Sequence, residues 1–352
     1  MRYIISRIFL IAFGIFLLCE CSFAQSTSDL FMGDYVGKFI NPPRGYLTSH
    51  LECVAQVYPE KNKYIIHFLP KLYVRAEEYA NTTGILSEQK VIMNDSMVQG
   101  EISGGIFKGK IAYLGKWVQF ELKKEERLSP TLGQKPTKEA IVLFDGTNFD
   151  HWIGDADIPV KWKIVNGNEM EVVPTLPQTK PKTSLFSMQK FSDLFLHLEF
   201  KVPLMADSTG QDRVNSGVVF ENMFEIQVLD SYGLSGKWND CGAIYTISPP
   251  KVNMSAPPQK WQTFDIIYLS PKHNENGLHI KDAEITIYHN GKCIHYQIPI
   301  DRGPKNIEKG LSSFSTRISL QDHWNVLWYR NIWAIDLAKN PTVPEYLEKL
   351  AR

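Results

Sequence analysis

The sequence predicts an all-β chain, with a small β domain followed by a larger two-sheet sandwich. Three observations carry this expectation. Short runs rich in Tyr, Val, Ile and Phe recur along most of the chain, turn residues punctuate them, and a helical period emerges only near the end. At 352 residues there is room for one large β domain and one smaller one.

Taken in order, Arg2 and Arg7 flank the start of an apolar run at 8–18, and Ser22-Phe23-Ala24 offers a small-x-small cleavage pattern ahead of Gln25. This predicts a signal peptide over 1–24, its apolar run too short to span a bilayer. The expected product is periplasmic or secreted, with no transmembrane segment after signal removal. A lipid-anchored form at Cys21 is the weaker reading, because Glu20 fits a lipoprotein signal poorly.

Residues 28–125 form the small β domain, with strand runs at 35–39, 51–57, 64–68, 90–93, 97–103, 106–113 and 117–122 separated by turn signals such as Asn62, Asn94-Asp95 and Gly104-Gly105. The charged stretch 126–138, which carries Pro130, Gly133 and Pro136, reads as a linker. Strand runs resume over 139–338, for example at 195–201, 264–268 and 285–289. Asn290-Gly291 is a two-residue hairpin signal, because both turn positions need positive φ. At 339–352 a short C-terminal helix is expected, with Val343, Tyr346, Leu347 and Leu350 at helical spacing.

Lys and Arg number 38 and Asp and Glu 38, so no net charge argues for nucleic acid or an anionic membrane as partner. If Cys19 and Cys21 leave with the signal, Cys53, Cys241 and Cys293 remain. An odd count without C-x-x-C spacing predicts buried free thiols. No G-x-G-x-x-G precedes a helical run, so any redox step belongs to another protein.

The most informative stretch is 215–245. In 224–228, Phe224, Ile226 and Val228 share one face of a strand, and Glu225 and Gln227 the other. The run at 218–220 pairs with it across Glu221-Asn222-Met223 as a hairpin. A carboxylate beside an amide on an open sheet face suits a sugar; the bland alternative is the solvated side of an antiparallel strand.

This stretch joins an ordered set of motifs: Leu143-Phe144-Asp145-Gly146 with Trp152, Asn215-Ser216-Gly217, Glu225-Ile226-Gln227-Val228-Leu229-Asp230-Ser231, and Gly242-Ala243-Ile244-Tyr245. Trp261-Gln262-Thr263-Phe264-Asp265, Tyr288-His289-Asn290-Gly291, Ile318-Ser319-Leu320-Gln321-Asp322-His323 and Tyr329-Arg330-Asn331-Ile332-Trp333 follow. The set resembles the 3-keto-disaccharide hydrolase domain family over more than half the chain. It departs from the family at Glu221, commonly Arg or apolar there, and at Trp324, often Gly. The resemblance implies a concanavalin-like jelly roll and a carbohydrate substrate.

The implied reaction is cleavage of 3-keto-glycosides or 3-keto-disaccharides by base-catalysed elimination at C2, followed by water addition. It also implies a functional link to a separate sugar 3-dehydrogenase. For this chemistry Glu225 and His323 are the catalytic candidates, and Gln227, Asn215, Gln321, Arg330 and Trp261 the substrate-binding ones. Glu225, Gln227, Asn215, His323 and Arg330 are expected to converge on the concave face of one sheet, with Phe224, Ile226 and Val228 buried between the sheets. Competing readings make His323 a structural hydrogen-bonder, Arg330 a buried partner for an acid such as Asp322, Trp261 and Trp324 core residues, and Glu199 a surface residue beside His197.

A non-catalytic carbohydrate-binding module is one alternative function. A conventional retaining glycosidase is another, because Glu225, Gln227 and Asp230 are spaced like E-x-D-x-x-E, although the middle position is an amide and Asp230 alternates away from Glu225. No cofactor is required by the sequence. A divalent metal stays open, since oxygen donors abound without a tight ligand spacing.

Overall fold

Alternation shapes the first half. In Lys63–Leu69 the buried residues are Tyr64, Ile66 and Phe68, every second one. The computed structural model describes residues 29–350 apart from 41, 43–51, 74–77 and 114, so the expected signal peptide and its two cysteines lie outside the described residues. Among the described residues, eight antiparallel strands from Gly33–Ile40 to Lys116–Glu125 close into a barrel, because the first pairs with both the second, Glu52–Glu60, and the last. Tyr35, Phe68, Phe107 and Phe120 fill its interior.

One barrel strand, Ala80–Ser87, was not expected from the sequence. Its buried positions are Ala80, Thr82 and Gly84, too small and polar to register as an apolar alternation. Closure requires it nonetheless, since it pairs with both Lys63–Leu69 and Lys90–Asn94 and so removes two open edges.

The second half is a jelly-roll sandwich. Its small sheet runs Trp152–Gly154, Leu185–Phe191, Thr316–Leu320, Asn215–Phe220, Phe224–Leu229. Its large sheet runs Lys163–Val165, Glu169–Glu171, Trp328–Asp336, Leu194–Lys201, Gln262–Leu269, Ala283–His289, Lys292–Ile300, with Ile141–Phe144 also paired to Trp328–Asp336. The inner faces meet in one core that includes Phe220, Phe224, Ile226 and Val228 from the small sheet and Leu196, Leu198, Phe200 and Phe264 from the large one. Asn290 and Gly291 turn with φ of 47° and 76°, as the hairpin signal requires.

Residues 126–138 connect the halves as a packed strap. Thr131 donates to Asp265 at 2.7 Å and the Gly133 amide to Glu199 at 2.6 Å, so the strap lies on the outer face of the large sheet. The helix covers only Tyr346–Leu350, where Tyr346 and Leu347 pack on that same face with Phe195 and Trp333. No helix among the described residues is long and apolar enough to cross a membrane. Cys53 and Cys241 are buried free thiols, and Cys293 is free and half-buried.

Candidate active site

The hairpin Asn215–Phe220 and Phe224–Leu229 puts Glu225 opposite Val219, Gln227 opposite Gly217 and Leu229 opposite Asn215. Since directly paired residues share a face, Asn215, Gly217, Val219, Glu225 and Gln227 occupy the outer face of the small sheet. Phe224, Ile226 and Val228 point into the core, as alternation demands. Val219 in turn faces Ser319, and the Gln321 amide donates to the Gly217 carbonyl at 3.0 Å. Glu225 therefore stands in a row with Val219 and Ser319, beside a row made by Gln227, Gly217 and Gln321.

Gly217 gives the carboxylate its place. A Cβ there would collide with the Glu225 side chain, which lies against the bare backbone of the neighbouring strand. Burial pushes the Glu225 carboxyl up to about 7, against the opposing pull of the Lys182 cation. Among the described residues its side chain has no hydrogen-bond partner, and it borders an open cleft of ≈ 530 Å³ shared with Tyr245, Thr246 and Arg302. On the far side of its strand, the Tyr245 amide donates to the Glu225 carbonyl at 2.9 Å.

His323 and Lys182 complete the cluster. Burial lowers the His323 pKa and the Lys182 cation lowers it further, so the imidazole is neutral near pH 7. Lys182 thus acts on both Glu225 and His323, and its Nζ lies 5.0 Å from the Trp324 ring centroid. Buried Asp322 organises this corner: its Oδ2 accepts from the amide and hydroxyl of Thr175 (3.1 and 2.6 Å) and of Thr183 (3.3 and 3.1 Å). Its Oδ1 accepts from the Trp324 amide at 3.0 Å, so one carboxylate ties the segments that carry Lys182 and His323.

Asn215 and Gln227 share the Glu225 face as expected, but their amides are engaged with each other and with Gln211. Gln227 Nε2 donates to Asn215 Oδ1 at 2.9 Å, Asn215 Nδ2 donates to Gln211, and both residues are buried, which leaves little of either for a ligand. They brace the floor beneath Glu225. Gln321 keeps a buried Oε1 with no hydrogen-bond partner among the described residues, so it retains an acceptor for a ligand donor.

Arg330 and Trp261 are not on this face, so the expected convergence fails for Arg330, and Trp261 stands away from Glu225. Arg330 pairs with Glu199 across two strands of the large sheet, on the face opposite its inner Leu198 and Phe200. Its Nε donates to Glu199 at 2.6 Å and its guanidinium stacks 3.9 Å from the Trp261 ring. Outer faces of two packed sheets point away from each other across a core about 10 Å thick, so neither side chain reaches Glu225. The acid partner of Arg330 is Glu199 rather than Asp322, and Glu199 is 1% exposed, not a surface residue.

Asp230 is also elsewhere engaged. Arg213 grips its Oδ2 through two nitrogens, at 3.2 and 2.7 Å, and burial pushes its carboxyl up against that pull. It does not supply the second free carboxylate of a retaining glycosidase. Among the described residues no group of three or more His, Cys, Asp and Glu could hold a metal ion.

Sequence reasoning missed Lys182 and Asp322 as parts of this cluster, and Trp238, half exposed with its ring 5.6 Å from that of Tyr245. Asp322 lay inside a quoted motif; Lys182 sits in a Lys- and Pro-rich loop with no periodicity to betray it.

Comparison with known proteins matches residues 139–335 to the family described as a 3-keto-alpha-glucoside-1,2-lyase-like domain. Among solved structures, a provisionally named glycosyl hydrolase from Parabacteroides distasonis is 30% identical, with 57% of this chain and 84% of that one covered, at a TM-score of 0.48. A second from the same organism is 16% identical, with 58% and 98% covered, at a TM-score of 0.42. No curated protein gave a significant match.

Proposed function

The chain belongs to the family of 3-keto-alpha-glucoside-1,2-lyase-like domains, and from that premise we propose that it cleaves glycosides whose C3 hydroxyl has been oxidised to a ketone. The family supports a carbohydrate-cleaving enzyme in general; the ketone and the elimination are the finer reading. The observation that carries it is Glu225, a carboxyl with pKa raised to about 7 at the rim of an open cleft, within the field of the Lys182 cation that also acts on the neutral His323 imidazole. A base titrating near neutrality is suited to removing a carbon-bound proton that a neighbouring ketone has made acidic.

In this reading Glu225 takes the C2 proton and the electron pair forms an enolate across C2 and C3. Lys182 stabilises the enolate oxygen. Collapse of the enolate expels the C1 oxygen and leaves a C1–C2 double bond conjugated with the ketone. Neutral His323 donates its N–H to the departing oxygen while its other nitrogen takes a proton from water. The hydroxide so formed adds to C1. Glu225, whose carboxyl proton exchanges with solvent through the open cleft, delivers a proton to C2, and the products are the 3-keto sugar and the free alcohol. Gln321, with its unpaired oxygen, accepts from a sugar hydroxyl. A separate sugar 3-dehydrogenase supplies the ketone.

The test is incubation with a 3-keto-glucoside and with its unoxidised parent in heavy water, following released aglycone and deuterium at C2. The 3-keto sugar alone should be cleaved, with deuterium gained at C2. Equal cleavage of both would overturn the elimination and restore a conventional glycosidase; binding of both without turnover would favour a carbohydrate-binding module.

A further inference from the structure

The reaction above leaves the barrel without a task, yet the cleft where it meets the sandwich measures ≈ 580 Å³, larger than the one beside Glu225. We infer that this interdomain cleft is a second carbohydrate-binding subsite, which holds the part of an extended glycan lying beyond the bond broken at Glu225. The inference rests on the reading of the Glu225 face as a glycoside-cleaving site.

Two aromatic rings stand open in the cleft, Tyr73 from the barrel at 44% exposure and Trp238 from the sandwich at 50%. Exposed rings in a cleft whose other walls mix apolar side chains such as Leu72 and Leu234 with polar ones suit the C–H faces of a sugar, which stack on aromatic surface while the hydroxyls find donors and acceptors around them. His67 and Glu78, hydrogen-bonded to each other at 2.8 Å and both partly exposed, supply such groups from the barrel, and Lys237 from the sandwich.

The cleft is formed before any ligand arrives. The Arg127 guanidinium lies 5.5 Å from the Tyr73 ring centroid and is itself paired with buried Asp34, so the ring is braced. Tyr232 of the sandwich donates to Asp34 of the barrel at 2.8 Å, and Gly233 lies so close to the Tyr58 ring that a Cβ there would collide with it. Fixed walls reduce the ordering cost of binding.

The cleft also communicates with the first site. Trp238 lines it and packs on Tyr245, which borders the cleft of Glu225, so one aromatic pair serves both. That pair offers a glycan extending from the cleaved bond an apolar step between the two clefts.

The experiment compares 3-keto-glucosides bearing a small aglycone with ones bearing an oligosaccharide, using wild type, Tyr73→Ala and Ser235→Trp, the last filling the cleft from the sandwich side. For the long substrate both variants should raise KM roughly 10-fold, the effect of losing one stacking contact, while kcat and the small-aglycone KM stay unchanged. Calorimetric titration of Glu225→Gln protein with an unoxidised gluco-oligosaccharide should show binding that Tyr73→Ala weakens roughly 10-fold. If that binding is seen while no 3-keto-glycoside is ever turned over, the function proposed for Glu225 fails and the subsite stands. Long-substrate KM and oligosaccharide affinity within about 2-fold of wild type in both variants would overturn the subsite.

Discussion

Glu225 carries opposing consequences for activity and stability. As the proposed base it must be deprotonated, so kcat/KM should rise with pH through about 7. Glu225→Gln should lower turnover roughly 10²–10⁴-fold with the fold intact by circular dichroism. The Lys182 cation opposes the rise in that pKa, so Lys182→Met should move the acidic limb of the pH profile to higher pH, a shift that a merely structural lysine would not cause. The folded pKa lies above the unfolded value, so the stability contributed by Glu225 is complete below about pH 4.5 and is lost as pH rises through about 7. Glu225→Gln should therefore melt at higher temperature than wild type at about pH 8 and at the same temperature near pH 4. Trp324 holds φ of 70°, a left-handed conformation that costs a bulky residue about 1 kcal/mol or more. With its side chain 39% exposed, packing offsets only part of that cost. Trp324→Gly should leave thermal stability equal or higher, as a melting curve would show.

At the scale of elements, the outer face of the large sheet gains its cover through charge as well as apolar packing. His197 is buried against Asp265 at 2.7 Å and near Glu199; burial alone would lower its pKa, but these partners outweigh it and hold it at about 9. Burial would raise Glu199, yet the nearby His197 and hydrogen bonds from Asn331, Arg330 and the strap amide of Gly133 bring it to about 2. The signs differ. His197 contributes fully below about pH 6.5 and its share is lost as pH rises through 9, whereas Glu199 contributes fully above about pH 4.5 and loses its share as pH falls toward 2. Urea melts of the whole chain should show these two groups supporting stability together between about pH 4.5 and 6.5, and His197→Gln should flatten the alkaline decline. An unchanged alkaline limb in that variant would assign the decline to other groups.

At the scale of the molecule, the barrel and sandwich are locked through buried charge. Asp34 of the barrel takes Arg127 of the strap, Tyr232 of the sandwich at 2.8 Å and Gln56 at 3.0 Å, while the second arm of Arg127 reaches the Ser255 carbonyl at 3.0 Å. Such coupling should make the two halves unfold in one calorimetric transition. Asp34→Ala strands the Arg127 charge where it is buried, at a cost of about 3–5 kcal/mol, and should split that transition into two. A single transition retained in the variant would show that apolar contact among Met32, Tyr58 and Tyr232 suffices to couple them.

Local pattern was enough to read the β architecture of both halves, the Asn290-Gly291 turn, the hairpin that carries Glu225 and the division of 224–228 into a core face and an outer face. Each depends on periodicity or turn chemistry within a few residues, which the chain states directly. Ala80–Ser87 escaped because small polar residues can satisfy a ladder and a barrel interior without an apolar signal. Which sheet a motif joins is not local: Glu225 and Arg330 sit in equally convincing strands, and only the pairing order sends them to opposite faces. The same holds for Lys182, brought beside Glu225 by the loop that Asp322 gathers, and for the strap, whose linker-like composition conceals a Thr and a glycine amide that complete a buried ion network. Alternation settled which way each side chain leaves its own strand; long-range pairing and burial alone decided what it meets there and how far its pKa moves.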